Sequence, residues 1–233
     1  MIGFRDKMED NLLLCGQFEG DPHADFFGLF DGHSGDTASA YAAQHLWKYL
    51  GKRLQDSHPK EALRMAFLDC HEGMRSIKTE AGTTAVAAFF TTTELFIANC
   101  GDSRAVLSQH HKAHLITSDH KPTSDPERRR IEALPGGYIY KNRVQGKLAV
   151  SRSLGDFVLN PWVTPEPELF GPFAWDQYEM LILACDGLWD VTSDEEAVSI
   201  ALQCETPQEA AVRLRDGAYE KRSRDNISVV VVW

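Results

Sequence analysis

The sequence predicts an α+β fold in which antiparallel sheets carry helices on their faces. Three observations lead there. Apolar stripes at 3.6-residue spacing mark two helices early in the chain and two late in it. Beyond residue 83 the pattern changes to short strands separated by polar turns, which suits an antiparallel meander rather than βαβ units. The chain closes on a β-branched run, Ile227-Ser228-Val229-Val230-Val231-Val232-Trp233. Its 233 residues contain no Ser/Gly-rich linker, charge block or internal repeat, so one domain spanning 1–233 is expected.

The elements follow in order. Phe26-Phe27-Gly28-Leu29-Phe30 is an apolar run that stops at Asp31-Gly32, as a buried strand stops at a turn. Asp36 caps a helix from residue 37 to about residue 54, with Ala42, Leu46, Tyr49 and Leu50 on one face. Ser57-His58-Pro59 opens a second helix whose inner stripe is Leu63, Ala66, Phe67, Cys70, Met74 and Ile77. Strands are expected at 85–91, 94–99, 104–108 and 113–117. Ser124-Asp125-Pro126-Glu127 starts a short helix that ends before Pro135-Gly136-Gly137, and a turn-rich stretch runs to about residue 167. A strand at 180–185 leads to a helix capped at Ser193, with Asp194, Glu195 and Glu196 favourably placed in its first turn. Thr206-Pro207-Gln208-Glu209 is a capping box with proline at the first helical position, opening a helix to about residue 221.

A formal net charge of −10 argues against a nucleic-acid or anionic-membrane surface, both of which call for a basic face. It leaves an anionic substrate open, because bound divalent cations reverse the local field. The five cysteines are odd in number and lack metal-site spacing, as expected of reduced thiols in an intracellular protein. Arg5, Asp6, Lys7, Glu9 and Asp10 rule out a signal peptide over the first ten residues. No apolar run approaches the ~18 residues of a membrane span. A soluble monomer of the cytoplasm and/or nucleus is expected.

Four aspartates sit where strands end. Asp31 follows the run 26–30, Asp102 follows 95–100, Asp186 follows 180–185, and Asp225 precedes the final strand. Gathered at one sheet edge, such carboxylates raise one another's pKa unless a cation lies between them. Carboxylate and carbonyl oxygens without His or Cys ligands suit Mg²⁺ or Mn²⁺ rather than zinc. Asp31 is the natural bridge between two ions, and Gly32 leaves its own carbonyl free to turn toward one of them. His33, two residues from Asp31, is placed as a general acid for a leaving alkoxide. Any one Asp-Gly pair alone reads as a hairpin turn.

The chain resembles the metal-dependent serine/threonine protein phosphatases of type 2C, the PPM family. Seven segments carry the resemblance in family order: Arg5-x-x-Met8-Glu9-Asp10, Asp31-Gly32-His33-Ser34-Gly35, Gly82-Thr83-Thr84-Ala85, Cys100-Gly101-Asp102-Ser103-Arg104, Ala149-Val150-Ser151-Arg152-Ser153-Leu154-Gly155-Asp156, Cys185-Asp186-Gly187-Leu188-Trp189-Asp190-Val191 and Ser223-Arg224-Asp225-Asn226-Ile227-Ser228. It implies a four-layer αββα sandwich, two central antiparallel sheets flanked by helices, with a flap-like segment at about 118–160. It implies hydrolysis of phosphoserine and phosphothreonine in proteins by a water activated between two Mn²⁺ or Mg²⁺ ions. Asp31 would bridge the metals, Asp186 and Asp225 would complete one shell, and the Gly32 carbonyl would join the other. Glu9, and Asp10 less firmly, would act through metal-bound water. Arg5 would bind the substrate phosphate, and His33 would protonate the leaving group. Asp102, with Asp190 nearby, matches residues around a weaker third metal. Thr84 falls where the family has a polar neighbour of the active site, though a threonine that merely begins a strand fits equally.

Two departures stand out. Ser34 occupies a place where the family usually has glycine, and a positive φ there would strain it. The family also usually has a strand ahead of Gly3-Phe4-Arg5, so an unprotected sheet edge and a loosely held Arg5 are expected. The remaining features read as scaffold: His110, His111 and His114 as an exposed hairpin, Arg128, Arg129 and Arg130 as a solvated helix face, and Trp162, Trp175, Trp189 and Trp233 as packing. The rival readings are a non-catalytic adaptor of the same fold and a phosphohydrolase of small phosphate esters. The first typically loses metal-site carboxylates, and the second differs mainly at the rim of the cleft.

Overall fold

The computed structural model describes residues 1–233. In chain order it places β1 (Asn11–Cys15), β2 (Asp25–Phe30), β3 (Gly32–His33), α1 (Thr37–Leu54), α2 (Pro59–Gly73), β4 (Gly82–Thr83), β5 (Ala85–Phe90), β6 (Glu94–Cys100), β7 (Arg104–Gln109) and β8 (Lys112–Leu115). These are followed by α3 (Asp125–Glu132), β9 (Ile139–Tyr140), β10 (Arg143–Val144), β11 (Leu154–Gly155), β12 (Glu168–Ala174), β13 (Met180–Ala184), α4 (Asp186–Trp189), α5 (Asp194–Ala201), α6 (Pro207–Glu220) and β14 (Val229–Val232).

Two sheets dominate, ordered β1-β2-β5-β6-β12 and β14-β13-β7-β8, and every ladder in them is antiparallel. Side-chain alternation shows how they stack. Ala85, Ala87 and Phe89 of β5 face α1 and α2, in a core with Leu46, Leu50, Leu63, Phe67 and Met74. Val86, Ala88 and Phe90 point the other way, onto Leu107, Leu181 and Leu183 of the second sheet. The far face of that sheet, with Val106, Ile182 and Val231, is covered by Ala197 and Val198 of α5 and Leu214 of α6. The order is helices, sheet, sheet, helices. Every residue of β5 and β13 is buried because each strand is covered on both faces, which is why both read as continuous apolar runs.

The cap chemistry matches expectation at the Ser193 and Thr206 hydroxyls, whereas Asp36 makes no side-chain cap bond and Glu209 Oε2 accepts from Glu205 N instead of closing a capping box on Thr206 N. The Ser193 hydroxyl accepts from Glu196 N, and that of Thr206 from Glu209 N. Three further expectations need correction. The four central strands are not one meander: the chain leaves the first sheet after β6 and enters the second at β7 through Gly101, at φ +125°. Ile77 and Trp233 are exposed at 41% and 42%, because α2 gives way to a tighter turn before Ile77 and Trp233 lies beyond the last paired residue. Two strands absent from the sequence reading, β1 and β12, form the edges of the first sheet. No helix is long and apolar enough to cross a membrane.

Candidate active site

The four strand-end aspartates meet as their sequence positions suggest. Asp31 leaves the end of β2, Asp102 lies on the crossing between the sheets, Asp186 follows β13, and Asp225 precedes β14. Together with Arg5, Glu9, Gly32, His33, Thr84 and Arg143 they line one cleft. Gly32 is needed there for space, since a Cβ would strike the Glu9 carbonyl and the Ser39 hydroxyl.

The electrostatics are those of crowded carboxylates. Burial first, then Asp10, Asp186, Asp102 and Asp225, hold the Asp31 carboxyl well above the usual range. Asp186 is pushed up to about 8, by burial first and then by Asp102, Asp225 and Asp190. Burial also raises Asp10 and Asp102. The Asp186 Oδ1 and Asp10 Oδ1 atoms are buried with no hydrogen-bond partner, a costly state that a cation relieves. The donor set therefore fits a hard divalent ion. Asp10, Asp31 and Cys185 bring one ligand atom each to within 4.8 Å of one another, a group able to hold a metal. Within it Cys185 is the poor ligand: burial, then Asp10 and Asp31, push its thiol up, and its Sγ donates to Asp10 Oδ2 at 3.5 Å. Sequence spacing alone does not point to Cys185 as part of this group, because it reads there as the last residue of a buried strand.

The N-terminal segment is held firmly, contrary to expectation. Asn226 Nδ2 donates to the Ile2 and Lys7 carbonyls, each at 2.9 Å, and its Oδ1 accepts from Glu9 N at 2.8 Å. Arg5 in turn donates from Nε to Arg224 O at 3.0 Å and from Nη2 to Asp225 Oδ2 at 2.5 Å. Glu9 Oε1 accepts from Gly35 N at 2.8 Å. Beside it Ser34 does take a positive φ, 60°. The expected free edge is present in β1, where Leu12 and Leu14 are 43% and 63% exposed.

His33 Nε2 lies 2.7 Å from Asp156 Oδ2, which also accepts from the Ser153 hydroxyl at 2.5 Å. A Cβ on Gly82 would collide with that pair. Asp156 sits just before a short helical turn, at φ 48°, and was quoted in the sequence only as part of a motif. Lys121 was also missed; its ammonium is 3.6 Å from Asp102 Oδ2. Thr84 lies at a strand start and in the cleft at once: its Oγ1 is 3.4 Å from Asp31 N and bonds the Ser103 hydroxyl at 2.8 Å. Asp190 lines a neighbouring cavity with Arg5 and Asp225.

The scaffold residues mostly sit as read. His110 and His111 turn the β7–β8 hairpin at positive φ, and His114 is exposed. Arg128 and Arg129 are exposed, but Arg130 faces inward and shares Glu127 with Arg152. Burial alone would raise Glu127, yet the two guanidiniums hold it down at about 2.

The sequence model described as protein phosphatase 2C matches residues 1–227. A probable protein phosphatase 2C of Arabidopsis thaliana is 39% identical over 247 residues, covering 99% of this chain and 64% of the relative. One from Oryza sativa subsp. japonica is 39% identical over 242 residues, covering 99% and 63%. The chain thus spans just under two thirds of the length of these relatives. Among solved structures, a C. elegans sex determining protein superposes with a TM-score of 0.88 at 30% identity, over 99% of this chain and 62% of that one. A serine-threonine phosphatase 2C from Toxoplasma gondii superposes at 0.79 and 25%, over 99% and 91%.

Proposed function

We propose that this chain, which belongs to the protein phosphatase 2C family, is a metal-dependent hydrolase of phosphoserine and phosphothreonine in proteins, its residues 1–233 forming one catalytic domain with a flap-like segment at about 118–160. One observation carries the reading: four aspartates, the carboxyls of Asp31, Asp102 and Asp186 raised chiefly by burial, converge with Glu9, Arg5 and His33 in a single cleft. Asp31, Asp186, Asp225 and the Gly32 carbonyl would hold two Mn²⁺ or Mg²⁺ ions, with Glu9 and Asp10 acting through water and Asp102 beside a weaker third. Bound there, the ions would polarise phosphoryl oxygens and lower the pKa of a coordinated water.

The chain's own residues supply the rest. Arg5 offers a planar fork to the phosphoryl oxygens at the mouth of the cleft. That fork rests on Asp225, so an arriving phosphate would compete with this carboxylate for the guanidinium. His33 would give its proton to the seryl or threonyl oxygen as the ester bond breaks. Its Nε2 is committed to Asp156, which leaves Nδ1 to face the substrate. Asp156, fixed by Ser153, would act as a positioning residue that sets the ring's orientation and tautomer.

The direct test is hydrolysis of a phosphothreonine peptide by metal-stripped protein, with Mn²⁺ or Mg²⁺ titrated back and EDTA as control. Metal-restored turnover is expected. Metal binding by calorimetry with no turnover on any phosphopeptide would favour the adaptor. Turnover confined to small esters would favour the other phosphohydrolase reading.

A further inference from the structure

The catalytic cleft continues past Asp225 onto a basic shelf. Arg5 and Asp225 line both, and Arg5 is hydrogen-bonded to the Arg224 carbonyl as well as to the Asp225 carboxylate. Two cavities of about 400 and 450 Å³ share Arg222 and Arg224; the first also contains Arg5, Asp190 and Asp225, and the second contains Phe4.

This shelf is out of character with the rest of the chain. The net charge is −10, and Arg53, Arg64, Arg104, Arg130 and Arg152 are all engaged by carboxylates. Arg222 and Arg224 are exposed, and neither side chain has a hydrogen bond or an ion pair. Three guanidiniums face two carboxylates in the first cavity, and Asp225 is already taken by Arg5. Arg222 and Arg224 are left with Asp190 as the one other carboxylate, a net surplus of one positive charge beside a site that receives a phosphate. Arg222 also holds φ 63°, a conformation that glycine adopts without strain and arginine does not. The second cavity is apolar at Phe4, which is 54% exposed and stacks on Tyr219, 41% exposed, with centroids 4.9 Å apart and planes within 7°. Free guanidiniums that share a cavity with an exposed aromatic side chain suit a peptide that carries negative charge.

We propose that Arg222 and Arg224 form a specificity subsite for a second anionic side chain of the phosphoprotein substrate, near the residue being dephosphorylated. The anion is a carboxylate or a further phosphoryl group, both of which match a guanidinium fork. This rests on the phosphatase reading above and adds to it the kind of sequence the enzyme selects.

The test compares phosphothreonine peptides whose flanking positions on either side are alanine, glutamate or phosphoserine, against wild type and the Arg222→Gly/Arg224→Ser double variant. Wild type should favour an anionic flank over alanine in kcat/KM by roughly 3- to 20-fold, the range for two partly exposed charge contacts. The glutamate and phosphoserine arms show which anion it takes. In the double variant the preference should fall to about one, and Arg222→Lys/Arg224→Lys should keep part of it. No anionic preference in wild type, or one that survives in the double variant, would overturn the subsite. Wild-type turnover of p-nitrophenyl phosphate with Mn²⁺ reports separately on the phosphatase reading. If that turnover is absent, fluorescence anisotropy with the same labelled peptides decides. Tighter binding of anionic flanks that is lost in the double variant sustains the subsite, and equal binding refutes it.

Discussion

Replacing Asp186 with asparagine should stabilise the metal-free protein. In the folded chain the Asp186 carboxyl is pushed up to about 8, chiefly by burial and then by Asp102, Asp225 and Asp190; unfolded, it titrates near 3.8. A raised folded value means that the unfolded chain binds fewer protons between about pH 4 and 8, so stability falls as pH rises through that window. At pH 7.5 the gap from 3.8, at about 1.4 kcal/mol per pH unit, gives about 5 kcal/mol. Water reaching the cleft screens part of it, and about 2–3 kcal/mol is the expected gain. Asparagine keeps the shape, removes the charge and can donate to neighbouring carboxylates. With roughly 2–4 °C per kcal/mol for a chain of this length, Tm in EDTA should rise by about 5–10 °C. The advantage should shrink toward pH 4.5. Saturating Mn²⁺ should do the reverse, stabilising wild type by about 3 kcal/mol at a hundredfold excess over Kd and the variant far less. Differential scanning fluorimetry across pH, with EDTA or Mn²⁺, reads all of this. A variant less stable than wild type in EDTA, or one that gains as much from Mn²⁺, would refute the reasoning.

Other outcomes follow from the same geometry. His33→Gln should lower kcat by about 10²-fold or more on phosphothreonine peptides and far less on p-nitrophenyl phosphate, whose leaving group needs no proton; equal losses would remove the general acid. Asp156→Asn should reproduce that leaving-group pattern at smaller size, since it disturbs only the ring's anchor, and a uniform loss on both substrates would make it merely structural. Arg5→Ala should raise KM and weaken inhibition by inorganic phosphate, and an unchanged inhibition constant would count against it. Ser34→Gly should raise Tm by about 1–3 °C by relieving the positive φ, at roughly 0.5–1 kcal/mol; a fall would mean that the serine side chain contributes more than the strain costs.

Much of this architecture was legible because its signals are local. Helix ends at Ser193 and Thr206 announce themselves through side chains that cap them, and β5 and β13 through unbroken apolar runs. The carboxylates were legible because each abuts such a run. The edges were not. In β1 the exposed faces of Leu12 and Leu14 erase the polar alternation expected of a half-buried strand, and β12 is interrupted by Gly171-Pro172 at a register shift. The division of the central strands between two sheets depends on the backbone at Gly101, which composition does not reveal. Likewise Asp156, Lys121 and Asn226 act through partners far away in sequence, and no spacing rule connects His33 to a residue 123 positions later.

The Asn226 clamp has a consequence for the timing of synthesis. It joins residues 2, 7 and 9 to residue 226, and Arg5 reaches residue 225 across 220 positions. Emerging from the ribosome, the chain carries Arg5, Glu9, Asp31, Asp102 and Asp186 long before their last neighbours exist. Contacts of such long separation form late, after the loop-closure entropy has been overcome. The nascent protein therefore remains without a complete site until residues 225 and 226 have emerged. A ribosome stalled before residue 225 should hold a chain with most of its helices formed and no capacity for turnover.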